Sequence, residues 1–180
     1  MTLSILGISG SLRRESFNTR LLQAATALMP TDATLTVRTL HGVPLYDGDL
    51  EAQGMPDGVR ELREAIRAAD GLLLSTPEYN NGVPGVLKNA IDWASRGADQ
   101  PLAHKPLALL SASPGGMGGV RAQLAWLPTL ATLRTRHMHE REFFLSSASR
   151  AFAADGSLAD EKTAEQLRAF LTAFATWTRG

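Results

Sequence analysis

Three short runs of apolar residues constrain this chain most. Leu3 to Ile8, Gly71 to Ser75 and Pro106 to Ala112 are apolar nearly throughout, and each gives way to small or turn-forming residues: Ser9-Gly10, Thr76-Pro77 and Ser113-Pro114-Gly115. Runs of that length bounded by turn residues read as strands buried on both faces, the condition of central strands in a parallel sheet.

Between them, apolar residues return at helical spacing. Ser16 is the predicted N-cap of a helix whose stripe is Phe17, Leu21, Leu22, Ala25 and Leu28. Val59, Leu62 and Ile66 give a second helix its face. Pro84 stands where a first helical turn tolerates proline, ahead of Val86, Leu87, Ala90, Ile91 and Ala94. A helix after the glycine-rich stretch 113–119 is expected to reach about Leu133, kinked or shortened by Pro128. Ser157 to Asp160 resembles a capping box before a last helix marked by Leu167, Phe170, Leu171 and Phe174. Two further strands are expected, at Thr34 to Leu40 and near His137 to Leu145, and a loop from His41 to Pro56. Strands alternating with helices imply an α/β fold. The expectation is a flavodoxin-like, doubly wound, five-stranded parallel sheet of order 2-1-3-4-5 with helices on both faces. No repeat, linker or low-complexity tract divides the chain, so residues 1–180 are read as one domain.

Composition narrows the chemistry. Lys plus Arg and Asp plus Glu both number 18, so neither a nucleic-acid nor a membrane-surface role is suggested. The absence of cysteine removes disulfides and thiolate nucleophiles, so redox chemistry here would need a bound cofactor. No stretch approaches the ~18 apolar residues of a membrane span, and the first residues lack signal-peptide features, so a cytoplasmic protein is expected. Of the histidines, His41, His104, His137 and His139, only the last two lie close together. Two histidines sharing one strand face are more often structural than metal ligands, and no metal site is expected. Neither a Gly-x-Ser-x-Gly elbow nor a Ser-His-Asp order is present.

In a doubly wound sheet, ligands bind beyond the carboxyl ends of the strands, where three loops of unusual composition fall. The first, Ser9 to Thr19, fits neither GxGxxG nor GxxxxGK[ST], yet it places hydroxyls, Asn18 and Arg13 at a helix N-terminus, which suits a phosphate. Read blandly, Ser16 is only a cap and the arginines are solvated. The second, Pro77 to Gly85, combines an aromatic, two amides, glycine and proline. It suits either a planar ring needing backbone hydrogen bonds or an ordinary Asn-Gly turn. The third, Ser111 to Gly119, has four glycines. They allow close backbone approach to a ligand, or simply open a helix.

Taken together, Gly10-Ser11-Leu12-Arg13 with Ser16-Phe17-Asn18, Pro77-Glu78-Tyr79-Asn80 with Pro84 to Trp93, and Gly118 to Gln123 resemble the signatures of the NADPH-dependent FMN reductase family, over about residues 3–146. That family includes bacterial quinone and chromate reductases. The resemblance implies that Ser11, Arg13, Ser16, Phe17 and Asn18 hold the ribityl phosphate of FMN. It implies that Pro77, Glu78, Tyr79, Asn80, Asn81 and Gly82 line the isoalloxazine, with Asn81 and Gly82 nearest the reactive edge, and that Ser111 and Gly115 close the pocket. Pro128 and Arg134-Thr135-Arg136, where a glycine turn would be usual, depart from the pattern.

The implied activity is ping-pong hydride transfer from NADPH or NADH through FMN to a small acceptor: a quinone, free flavin or metal oxyanion. The flavin does the chemistry, so no separate catalytic side chain is assigned. The chief alternative is a flavodoxin-type electron carrier. Against it stand Arg13 in the phosphate loop, where carriers use neutral residues, and the zero net charge, which offers no acidic docking face. A response-regulator module would need an acceptor Asp after the third strand, where the chain reads Ser75-Thr76-Pro77. The resemblance also implies a homodimer or homotetramer. Ile91 and Trp93 lie on different helix faces, so one of them is expected to be left for a partner. Lys88 is placed to pair with Asp92, and Trp93 is read as core or interface.

Overall fold

The computed structural model describes residues 2–180. Strand β1 (Leu3–Ser9) lies between β2 (Ala33–Arg38) and β3 (Gly71–Ser75), and β3 pairs with β4 (Pro106–Ala112); all pairings are parallel. The last position is shared by β5 (Arg136–His137) and β6 (Phe143–Leu145), each parallel to β4, so the order is 2-1-3-4 with both short strands on the outer side. Helices α1 (Phe17–Leu28) and α6 (Glu161–Arg179) cover one face. Helices α3 (Asp57–Ala68), α4 (Gly85–Ala94) and α5 (Val120–Thr132) cover the other, each face with its own apolar cluster. Strand β3 is buried throughout, and β1 from Ile5 and β4 from Leu107 are buried to their ends, as their apolar runs require.

Three local expectations differ from what is found, and the reach of α5 agrees to within one residue. The single fifth strand predicted over 137–145 is two fragments. Between them His139-Glu140-Arg141-Glu142 is exposed, and four consecutive ionisable side chains cannot alternate into a core, so the chain leaves the ladder there. The loop 41–56 contains a short helix, α2 (Gly48–Ala52), capped by Asp47 accepting from the Asp49 N–H. It buries nothing and so has no apolar period to read. Helix α6 is capped by Asp160, which accepts from the Thr163 N–H and hydroxyl, while Ser157 is bound to Asp155 instead. Helix α5 runs through Pro128 to Thr132. The carbonyl deprived of its donor belongs to Leu124, a residue 55% exposed.

The end of α5 explains Arg134. The Arg134 N–H bonds the Ala131 carbonyl and the Thr135 N–H bonds the Leu130 carbonyl, a Schellman closure whose pivot has φ +55°. That left-handed conformation costs a residue with a Cβ roughly 1 kcal/mol, and here an exposed arginine occupies it. Arg134→Gly should therefore raise the unfolding free energy by about 0.5–1 kcal/mol, read from the denaturant midpoint at unchanged slope.

Candidate flavin site

The carboxyl ends of β1, β3 and β4 bring the three loops together. Gly10 lies where loops one and two touch: its N–H donates to the Ser75 carbonyl, and a Cβ there would sit 2.8 Å from Pro77 Cδ and 3.0 Å from Leu87. Glycine is needed for contact, not for an unusual φ. A small cavity of ≈60 Å³ follows, lined from loop one by Ser11, Arg13, Ser16, Phe17 and Asn18, from loop two by Pro77, Glu78 and Tyr79, and from loop three by Ala112, Ser113 and Pro114.

The donors on this floor suit a phosphate. The Ser16 hydroxyl caps α1 by accepting from the Thr19 N–H, so the Phe17 and Asn18 N–H groups, which precede the first intrahelical bond, point outward unpaired. The Ser11 N–H makes no hydrogen bond among the described residues, although Ser11 is only 4% exposed. The Arg13 guanidinium makes none either and forms no ion pair among them, whereas neighbouring Arg14 lies 3.9 Å from Glu15. Unpaired amides, a helix N-terminus and a free guanidinium are what a phosphate dianion requires.

Asn18 is used mainly inside the protein. Its Oδ1 accepts from the Ser75 hydroxyl and from the Ala112 N–H, both at 3.0 Å, and its Nδ2 donates to the Ala112 carbonyl at 2.9 Å. One of its amide hydrogens remains for a ligand. Ser111 is fully buried beneath the third loop, donating to the Gly118 carbonyl and accepting from Gln123 Nε2, so its hydroxyl is engaged in supporting the loop and it is not among the residues that line the small cavity. From the third loop the cavity is lined by Ala112, Ser113 and Pro114, which the sequence reading did not assign to the site.

The second loop is a tight reversal. Tyr79 and Gly82 exchange backbone hydrogen bonds, and the residues between them, Asn80 and Asn81, have φ of +51° and +63°, the signature of a type I′ turn. Asparagine tolerates that region better than other residues with a Cβ. The turn stands above the cavity, with Tyr79 48% exposed. Asn80, Asn81 and Gly82 therefore lie beside the enclosed floor and not in it, as does Gly115 in the third loop.

Glu78 ties this turn to α5. Helix α5 begins at Gly119, φ +90°, which has no side chain to cap it, and Glu78 Oε2 accepts from the Arg121 and Ala122 N–H groups at 2.9 and 3.2 Å. Arg121 in turn donates to Asn81 Oδ1 at 2.6 Å. A carboxylate at a helix N-terminus is favourable through both the unpaired N–H groups and the helix dipole.

These contacts predict different mutant behaviour. Arg13→Ala should weaken FMN binding by ~1.5–3 kcal/mol, roughly ten- to a hundredfold, with little change in melting temperature. Glu78→Ala should lower stability by about 1 kcal/mol as the α5 cap is lost, and weaken FMN binding as well, because the turn is released. Flavin-fluorescence titration beside thermal unfolding separates the two patterns.

The comparisons with known proteins follow the same lines. The sequence profile of the family described as NADPH-dependent FMN reductase matches residues 3–150. The chain is 46% identical over 177 residues to an NAD(P)H-dependent FMN reductase of Pseudomonas aeruginosa, covering 98% of this chain and 96% of that protein. It is 40% identical over 177 residues to a quinone reductase of Pseudomonas putida, covering 98% and 95%. Its fold superposes on FerB, the flavoenzyme NAD(P)H:(acceptor) oxidoreductase of Paracoccus denitrificans, with a TM-score of 0.89, 37% identity and coverage of 99% and 98%. With that match over most of its length, this chain belongs to the NADPH-dependent FMN reductase family.

Proposed function

We propose that this protein is an FMN-dependent NAD(P)H oxidoreductase that passes electrons to a quinone or a similar small acceptor, working as one domain over residues 1–180 in the cytoplasm. The observation that carries the reading is the set of unpaired N–H groups of Ser11, Phe17 and Asn18 beside the free Arg13 guanidinium, under a rigid turn. Bound there, FMN would supply the two-electron chemistry, taking a hydride from a reduced nicotinamide and delivering the electrons to the acceptor.

The protein's own part is positional and electrostatic. Loop one holds the phosphate through amides and Arg13. The Tyr79–Gly82 turn, braced by Glu78 and Arg121, presents its exposed face and backbone groups where the ring system would lie. No cysteine is available, and no cluster of metal-ligating side chains occurs among the described residues, so the chain contributes no second redox centre. Coenzyme and acceptor then share one exposed face and use it in turn.

Purified protein should be yellow and release about one FMN per chain, identified by chromatography after heat denaturation. With NADPH and a quinone, double-reciprocal plots should be parallel and NADP⁺ should compete with quinone. Intersecting plots, or a loaded protein that NADPH does not bleach, would favour the electron-carrier alternative.

A homodimer or dimer of dimers is part of this proposal, but on different residues from those expected. Ile91 and Trp93 are both buried, Trp93 donating to the Pro44 carbonyl and meeting Tyr46 edge-on at 4.9 Å, so neither is left for a partner. Exposed apolar residues include Leu124 and Leu127, three apart on α5, together with Leu45, Tyr46 and Met117. Light scattering at micromolar concentration should give at least twice the chain mass of 19.3 kDa, and Leu124→Glu with Leu127→Glu should reduce it to the single-chain value.

A further inference from the structure

On the far side of the third loop, a cavity of ≈580 Å³ lies between β6 and α6. Its volume falls within the range of small-molecule sites, and the flavin reading does not use it. Arg141 and Arg150 both line it. Several arginines elsewhere pair with carboxylates, Arg38 with Glu61, Arg63 and Arg67 with Asp99, Arg96 with Glu51 and Arg179 with Asp32, whereas Arg13 in the flavin loop and Arg134 on the surface are free among the described residues, like the two in this cavity. Arg141 and Arg150 take part in no ion pair and no side-chain hydrogen bond among the described residues. The hydroxyls of Ser146 and Ser147 and the amide of Gln166, on the same wall, are equally unengaged. One carboxylate, Glu142, lines the cavity, and Glu165 faces Arg141 across the adjoining groove that also holds Arg168. Cations therefore exceed anions on the cavity wall, two to one.

We propose that this cavity binds a phosphate group, either as the free dianion or as the monoester of a nucleotide, held by the guanidinium forks of Arg141 and Arg150. Planar guanidinium donors match tetrahedral oxyanions in pairs, and hydroxyl and amide donors complete the shell. Phe143 and Phe170, both buried, form the apolar floor beneath them. The wall is also joined to the flavin loop. The Ser147 N–H donates to the Gly115 carbonyl, the Ala148 N–H donates to the Ser113 carbonyl, and Gly118 abuts Phe144 so closely that a Cβ would lie 2.8 Å from it. Ser147 itself is held at φ +50°. A ligand that orders residues 146–150 therefore stiffens the third loop, and by linkage the flavin and the phosphate each raise the other's affinity.

The test is calorimetric titration of the FMN-loaded protein with inorganic phosphate, adenosine 2′-monophosphate and adenosine. The first two should bind saturably at one site per chain and adenosine should not. Arg150→Gln and Arg141→Gln should each weaken that binding by about tenfold or more, while Lys162→Gln, a nearby surface cation outside the cavity, should leave it unchanged. Tighter binding of the monoester identifies a nucleotide as the occupant, and equal binding identifies free phosphate. Both support the site. The absence of saturable heat with either phosphate, or binding that both arginine variants leave intact, overturns it. Quinone reduction without added phosphate is measured on the same variants and should stay at the parent rate, so this result is independent of the proposed activity.

Discussion

The carboxamide of Asn18 is the interaction on which the site depends. It lies on the first turn of α1, is 3% exposed, and bonds at once to the ends of β3 and β4 through Ser75 and Ala112. A parallel sheet leaves backbone groups unpaired where its strands end, and burying them without partners would cost a few kcal/mol each. Asn18 supplies partners for both groups of Ala112 and in doing so sets the helix N-terminus against the strand ends. The outward N–H groups of Phe17 and Asn18 are in place because this brace holds them there.

A second brace organises the other half of the site. The Tyr79–Gly82 turn would be an exposed hairpin of little stability by itself. Glu78 and Arg121 connect it in both directions to the start of α5, one side chain capping the helix and the other holding Asn81. Beneath that helix, Gln123 bonds Ser111 and the Phe143 carbonyl, and Trp126 donates to Thr76. The polar groups behind the loops fall into several paired clusters, and no buried side-chain N or O atom lacks a partner among the described residues. Fully paired clusters of this kind are stiff, and stiffness here means a site organised before its ligand arrives.

Side chains of the site thus divide by use. Arg13 remains free on the loop-one side of the cavity, whereas Glu78, Ser111 and most of Asn18 hold the loops that carry backbone donors. This division suits an enzyme whose reactive atoms belong to a cofactor: what the protein must supply is position and dipoles, and backbone groups on braced loops supply both.

By itself the sequence determined the alternation of strands and helices, the faces of α1, α3, α4 and α6 and the three loops after the central strands, all of which follow from short-range periodicity and turn chemistry that the chain carries locally. The order of the sheet was expected only from the doubly wound class that this alternation implies. Its motif resemblance pointed to the family that the comparisons show. Only the tertiary structure decided which residues of those loops face the cavity. Ser111 and Ser113 look alike in sequence, but one points down into a buried network and the other lines the pocket. Glu78 became a cap only because α5, more than forty residues later, begins beside it. The split of the last strand and the unpaired arginines around the second cavity were equally invisible. The reason is common to all of them: a hydrogen bond or a charge is given its partner by the path of the chain through space, and periodicity along the sequence holds no record of distances between loops.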